Sequence, residues 1–242
     1  MRIKQLGNGG GLNPQQTNSS FLIELEKDKY LLFDCGFNIM SRLIEEENND
    51  TNFKIENIKY VFISHTHDDH IGNLETLIYW NYFKNNKTMT VLYASEEVEI
   101  AVSKIKQNLY SGGRVVYTPL YKTNKLTYNT KLTKECTLHA VEGYNGPCIS
   151  HGALISDKTN QIFISGDTKA TSSIEERLSY YDFNLTSESS ILFHDFSSWN
   201  APSKNIHACE SDFTIEYSEE FQKKAIKYHT GDDNFFKDWR EL

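Results

Sequence analysis

The sequence predicts an α/β protein in which a sandwich of β-sheets is covered by helices. Three observations carry that expectation. Strand-strand-helix patterns repeat along the chain, several apolar runs end in Asp or His, and 242 residues suit one domain with ample surface to bury. No internal repeat, low-complexity tract or linker interrupts residues 1–242, which are therefore read as one domain.

Residues 2–6 read as a first strand, followed by the glycine-rich turn Gly7-Asn8-Gly9-Gly10-Gly11. The turn lacks the Gly-Lys-Ser/Thr ending of a phosphate-cradling P-loop, which excludes that motif. Phe21 to Leu25 and Tyr30 to Cys35 read as strands joined by the turn Lys27-Asp28-Lys29. Met40, Leu43 and Ile44 give 40–48 helical spacing. A strand over 58–63 leads into a polar run. A helix over 71–83 follows it, with Ile71, Leu74, Leu77, Ile78 and Tyr82 on one stripe. The N-terminus of that helix would fall beside Asp69 and His70, where its dipole favours an anion such as phosphate. Residues 91–93 read as a strand and 96–109 as a helix. The second half is strand-rich, over 115–117, 134–141, 152–156, 161–165 and 190–194, with a turn at 156–160. A helix over 215–225 and a short strand at 225–228 close the pattern.

Charge and composition narrow the function classes. A formal charge of −8, from 25 basic and 33 acidic residues, argues against a large nucleic-acid footprint, which needs a basic face. No apolar stretch approaches membrane-spanning length, and the start Met1 to Gly7 has no secretory apolar core, so no membrane contact and a cytoplasmic location are expected. Cys35, Cys136, Cys148 and Cys209 lie scattered without a C-x-x-C pair and read as reduced, mostly buried thiols. The chain carries 14 Tyr, 14 Phe and 3 Trp, most of which must be core, so no base-stacking residue is singled out.

The polar run His65-Thr66-His67-Asp68-Asp69-His70 directly follows the apolar segment Tyr60 to Ser64. Three imidazoles and a carboxylate at a strand end are the ligands that zinc takes, and the H-x-H-x-D-H order suits a pair of ions: His65 and His67 for one, Asp69 and His70 for the other. Asp167, at the end of Ile162-Phe163-Ile164-Ser165-Gly166, can bridge two metals with its two oxygens. His229 ends the last strand and joins the set. One more imidazole is needed, and His139 and His151, which flank one glycine-containing loop, compete for the place.

These landmarks resemble the metallo-β-lactamase fold superfamily. The resemblance covers nearly the whole chain: Asn18-Ser19-Ser20 after the glycine-rich turn, Asp34-Cys35-Gly36, the ligand run, Ser165-Gly166-Asp167-Thr168 and the terminal histidine. It implies an αββα sandwich with the metals at the edge between its two sheets. Ser111-Gly112-Gly113, Thr137-Leu138-His139, Ile191 to Asp195, Asn205-Ile206-His207 and Tyr228-His229 are similar to the transfer-RNA 3′-processing endonuclease branch. They are closer still to compact phosphodiesterases such as the phage anti-Pycsar enzymes. In that pattern the third metal histidine precedes the long loop, which favours His139 over His151.

The resemblance implies a phosphodiesterase that opens 3′,5′-cyclic mononucleotides such as cCMP and cUMP, with cAMP and cGMP in the same class, to 5′-monophosphates. This would counteract Pycsar-type immunity, in the host cytoplasm if the gene is a phage's. It also implies a homodimer. The expected metal set is His65, His67 and His139 on one ion, Asp69, His70 and His229 on the other, and Asp167 between them. Two divalent ions are expected, zinc first and manganese or iron also accommodated. Asp69 is the candidate proton acceptor and His207 the candidate donor to the leaving 3′-oxygen, because an imidazole titrates near working pH. His194 and Asp195 are candidates to orient a ligand or His207. The alternatives are an endoribonuclease of the transfer-RNA 3′-processing type and another metallo-β-lactamase fold hydrolase acting on carbonyl substrates. The short span from His139 to Asp167, with no room for a substrate-gripping arm, places the first of these second.

Overall fold

In the computed structural model the residues described are 1–13, 15–105, 108–111, 114–117, 120–126, 129–143, 148–197, 206–231 and 237–242, with the backbone alone for 108–111 and 114–117. The first half runs β1 (Arg2–Gly7), β2 (Ser20–Glu26), β3 (Lys29–Phe33), α1 (Ile39–Asn49), β4 (Ile58–Phe62), α2 (Asp68–Ile71), α3 (Leu74–Asn85), β5 (Thr90–Tyr93) and α4 (Glu96–Ser103). A hairpin of β6 (Asn108–Ser111) and β7 (Arg114–Tyr117) follows, then β8 (Lys122–Lys125), β9 (Thr130–Lys131), β10 (Thr137–Glu142), β11 (His151–Ser156) and β12 (Gln161–Ile164). The chain continues through α5 (Ser172–Tyr180), β13 (Ser190–Asp195), α6 (Glu210–Glu216), α7 (Glu219–Lys224), β14 (Ala225–Tyr228) and β15 (Arg240–Glu241).

Two sheets result. One has the order β15-β1-β2-β3-β4-β5-β8, the other β14-β13-β12-β11-β10-β9. Side-chain alternation along each strand divides the apolar residues between layers. In β4, Val61 faces the helices α1, α3 and α4, while Phe62 faces the other sheet. In β13, Phe193 faces inward and Leu192 packs outward among residues of α5, α6 and α7. The result is the αββα sandwich that the resemblance implies. Its middle is aromatic: Phe21 lies 4.7 Å from Phe193 and 5.1 Å from Tyr228, centroid to centroid. Truncating a fully buried phenylalanine there costs about 3–5 kcal/mol.

Helices join parallel neighbours: β3 to β4, β4 to β5, β12 to β13 and β13 to β14. Such crossovers place the carboxyl ends of the strands at one edge, where open α/β sheets bind ligands. Asp34, the 64–70 run, Asp167, Asp195 and His229 all follow or end these strands.

Three predicted helices differ from the structure. The helix expected over 71–83 is two pieces, α2 and α3, broken at Gly72-Asn73, where the Asn73 N–H donates to the Cys35 carbonyl at 2.9 Å. The continuous stripe hid a break that a tertiary hydrogen bond stabilises, so no long helix starts beside Asp69 and His70. The helix expected over 96–109 ends at Ser103. It begins on Ser95, whose hydroxyl accepts from the Val98 N–H. The helix expected over 215–225 is likewise two, α6 and α7, with Ser218 capping the second. No helix among the described residues is long and apolar enough to cross a membrane.

Candidate metal centre

The 64–70 run leaves β4 at the sandwich edge and turns into α2, which brings Asp69 and His70 back beneath the β3 end. There the Cys35 N–H donates to the His70 carbonyl at 2.7 Å. Gly36 is required at this crossing, since a Cβ on it would lie 2.0 Å from the Asp69 carbonyl oxygen. The glycine-rich turn after β1 closes over the other side. A Cβ on Gly10 would stand 3.2 Å from His229 Nε2, and one on Gly11 3.1 Å from the Asp69 carboxylate. The turn rejected as a P-loop is thus the lid of the cluster.

Three overlapping ligand groups meet here: Asp69, His70 and His229; His65, His70 and Asp167; and Asp167, Asp195, His207 and His229. His70 Nε2 lies 3.4 Å from Asp69 Oδ2 and 3.2 Å from Asp167 Oδ1. His229 Nε2 is 3.3 Å from Asp69 Oδ2. His65 Nε2 is 3.7 Å from Asp167 Oδ2 and 2.9 Å from Nδ1 of the exposed His67. The two oxygens of Asp167 therefore face different partners, Oδ1 toward His70 and Oδ2 toward His65.

Buried acids orient these rings. Ser64 donates its hydroxyl to Asp34 Oδ2 at 2.8 Å, so it accepts from His65 Nδ1 at 2.9 Å and leaves Nε2 as a lone pair. Asp34 Oδ2 is 2.7 Å from His70 Nδ1, which fixes the same tautomer there. Asp34 has φ 60° and His229 φ 64°, left-handed conformations uncommon outside glycine and concentrated at functional sites.

Electrostatics follow from the crowding. Burial pushes the His65 pKa down to about 3, which keeps the ring neutral and free to ligate. Burial would lower His229 too, but Asp167, Asp195 and Asp69 around it win and hold it up at about 10. His70 is likewise raised well above its ordinary value, the charges of Asp167 and Asp34 overcoming burial. Burial pushes the Asp69 carboxyl upward, but the His229 hydrogen bond and the neighbouring His70 ring outweigh it and hold it low.

The donor set fits divalent metal ions. It is all imidazole nitrogen and carboxylate oxygen, the ligands of hydrolytic zinc sites. Although His70 Nε2 and Asp167 Oδ1 are 3.2 Å apart, both are buried without a hydrogen bond, as is Asp195 Oδ1. A cation between His70 and Asp167 would satisfy both of those atoms, and Asp195 faces a neighbouring ligand group.

The structure brings His65, His67, Asp69, His70, Asp167, His207 and His229 to this edge. It does not bring His139, whose expected role as a metal ligand is corrected by its placement. Leu138 faces the inter-sheet core, so the next residue on β10 turns outward, and the His139 ring packs 4.5 Å from Tyr181 at the end of α5. Among the described residues, His151 does not join a ligand group either. The pair His194-Asp195 divides by the same alternation. His194 turns out to the Tyr217 hydroxyl at 2.6 Å, while Asp195 turns in and accepts from His207 Nδ1 at 2.7 Å. Sequence reasoning had no role for the Asp34 carboxylate; an acid ending a buried strand was its signal. Gly112, Gly113, Asn205 and the loop 144–147 lie outside the described residues.

Residues 1–238 match the protein family described as anti-Pycsar protein Apyc1. An anti-Pycsar protein Apyc1 of Bacillus phage 010DV004 is 25% identical over 256 residues, covering 98% of this chain and 92% of the relative. Among solved structures, the metallo-beta-lactamase fold protein YhfI of Bacillus subtilis superposes with a TM-score of 0.68 at 16% identity, over 95% of this chain and 85% of that one. The short form of human tRNase Z gives 0.66 at 17% identity, over 95% and 93%. Both likenesses show the metallo-β-lactamase fold.

Proposed function

Because the chain belongs to the anti-Pycsar Apyc1 family, we propose that it is a metal-dependent phosphodiesterase that opens 3′,5′-cyclic mononucleotides to 5′-monophosphates and so counteracts Pycsar immunity. The observation that carries this reading is the Asp167 carboxylate, which turns one oxygen to His70 at 3.2 Å and the other to His65 at 3.7 Å. That is the disposition of a group shared by two neighbouring cations. His65, His67 and Asp167 would hold one, and Asp69, His70, His229 and Asp167 the other. Bound there, divalent ions lower the pKa of water and neutralise charge on phosphoryl oxygens.

The chain's own groups supply the rest. Hydrolysis joins a water oxygen to phosphorus and breaks the bond from phosphorus to O3′. Asp69 would take the water's proton. His207 has Nδ1 anchored on Asp195 and Asp167 near by at 3.8 Å. These two acids raise its pKa against the pull of burial, so the ring carries a proton that Nε2 gives to O3′.

The test is to incubate metal-loaded protein with a panel of 3′,5′-cyclic nucleotides and with precursor transfer RNA. A 5′-monophosphate from the cyclic substrates is expected. Cleavage of RNA with no turnover of any cyclic nucleotide overturns the reading.

A further inference from the structure

His194 lies behind Asp195, fully buried, with both ring nitrogens engaged. Nδ1 is 2.7 Å from the Asp195 carbonyl, which can only accept, so Nδ1 carries the proton. Nε2 is then a lone pair, and the Tyr217 hydroxyl donates to it at 2.6 Å. The same hydroxyl oxygen accepts from the Thr171 N–H at 3.1 Å. Burial pushes the His194 pKa down to about 4 and the Tyr217 pKa up, so both groups stay neutral near neutral pH and the proton pattern is fixed.

Three segments meet at that hydroxyl, and each bears on the acid that anchors His207. Thr171 ends the loop that follows Asp167, and Thr168 in that loop donates its N–H to Asp195 Oδ2 at 2.8 Å. His207 Nδ1 donates to the same oxygen at 2.7 Å. His194 holds the backbone of Asp195 through its carbonyl. Tyr217 closes α6, the helix that begins just after His207, and the Ser197 N–H ties the start of that segment through the Ala208 carbonyl at 2.8 Å. The Tyr217 ring is held by packing, stacked on Phe221 at 4.0 Å and set against Phe213 at 4.9 Å, centroid to centroid. A phenylalanine would pack equally well there, so the hydroxyl serves the polar network.

We propose that Tyr217 is a positioning residue for the leaving-group step: through His194 and Thr171 its hydroxyl holds Asp195 where it receives His207 Nδ1 and aims Nε2 at O3′. The inference rests on the phosphodiesterase reading above, with His207 as proton donor.

Its test compares cyclic mononucleotides with bis(p-nitrophenyl) phosphate, a phosphodiester whose leaving phenolate needs no proton, on the metal-loaded enzyme. Tyr217→Phe removes the hydroxyl alone. His194→Phe keeps a ring beside Phe213 and Phe221 and removes both nitrogens. Each should lower kcat on cyclic nucleotides about tenfold, the effect of one lost hydrogen bond, with KM little changed and hydrolysis of the aryl diester falling far less. In a His207→Ala background, Tyr217→Phe should add no further loss, because the two act through one group. Equal losses on both substrates, a full loss that persists without His207, or unchanged kcat in both variants overturns the positioning role alone. A wild type that cleaves the aryl diester but no cyclic nucleotide overturns the phosphodiesterase reading and the positioning role with it.

Discussion

Asp34 Oδ2 stands 2.7 Å from His70 Nδ1 and 2.8 Å from Ser64 Oγ, so one buried acid fixes the ring orientation of two candidate ligands. Asp34→Asn tests that role with the least disturbance, because asparagine tolerates the left-handed backbone that Asp34 adopts. It replaces one acceptor oxygen by an amide donor, which must turn away from either His70 or Ser64. Metal affinity should fall about 10–100-fold, as for other groups that orient a ligating histidine. Competition against a chelator measures it, and an unchanged affinity would show that the rings hold their orientation without the acid.

Asp167 and His139 should separate cleanly on metal content. Asp167→Asn removes the carboxylate whose two oxygens face the two halves of the cluster, so bound metal should drop from about two equivalents to below one. His139→Ala should keep the full complement, because its ring lies on Tyr181 across the sheet from the ligands. Elemental analysis of the two variants reads both outcomes. Loss of metal from His139→Ala would return that residue to the ligand set.

For His207, the leaving group is the discriminating variable. If the ring protonates O3′, His207→Ala should lower kcat on cyclic nucleotides by about 10²–10⁴, the usual worth of a general acid. Bis(p-nitrophenyl) phosphate expels a stable phenolate that needs no proton, so its hydrolysis should fall far less. Equal losses on both substrates would assign His207 to holding Asp195 and the metals in place.

Much of this architecture is legible in the sequence because the strands that build the site advertise it. Leu31 to Asp34, Val61 to His65, Ile162 to Asp167, Ile191 to Asp195 and Ala225 to His229 are each an apolar run ending in a ligating residue type. Parallel strands must put those ends at one edge, so the convergence follows from the crossovers. Two things did not follow. Whether a residue on a strand faces the inter-sheet core or the outer helices depends on register, and one residue of parity separates the inward Leu138 from the outward His139. The break between α2 and α3 depends on the Cys35 carbonyl, which comes from another part of the chain. A local apolar stripe carries no information about either.

Protons and metal ions should compete at His70 and His229. Carboxylates raise both rings, His229 to about 10, so both are protonated at pH 7.5 unless a cation takes their place. Metal uptake at that pH should release about two protons, and affinity should climb with pH toward 10. The same shifts set how stability varies with pH when no metal is supplied. A raised folded-state pKa contributes stability that is complete below the unfolded value near 6.5 and disappears as pH rises through the folded value. Chelator-treated protein should therefore lose Tm between pH 6.5 and 10, while metal-loaded protein should not. Calorimetric titration in buffers of different ionisation enthalpy counts the protons directly. A count of zero would mean that the two rings are already neutral, and that the acids around them are not the groups that control their charge.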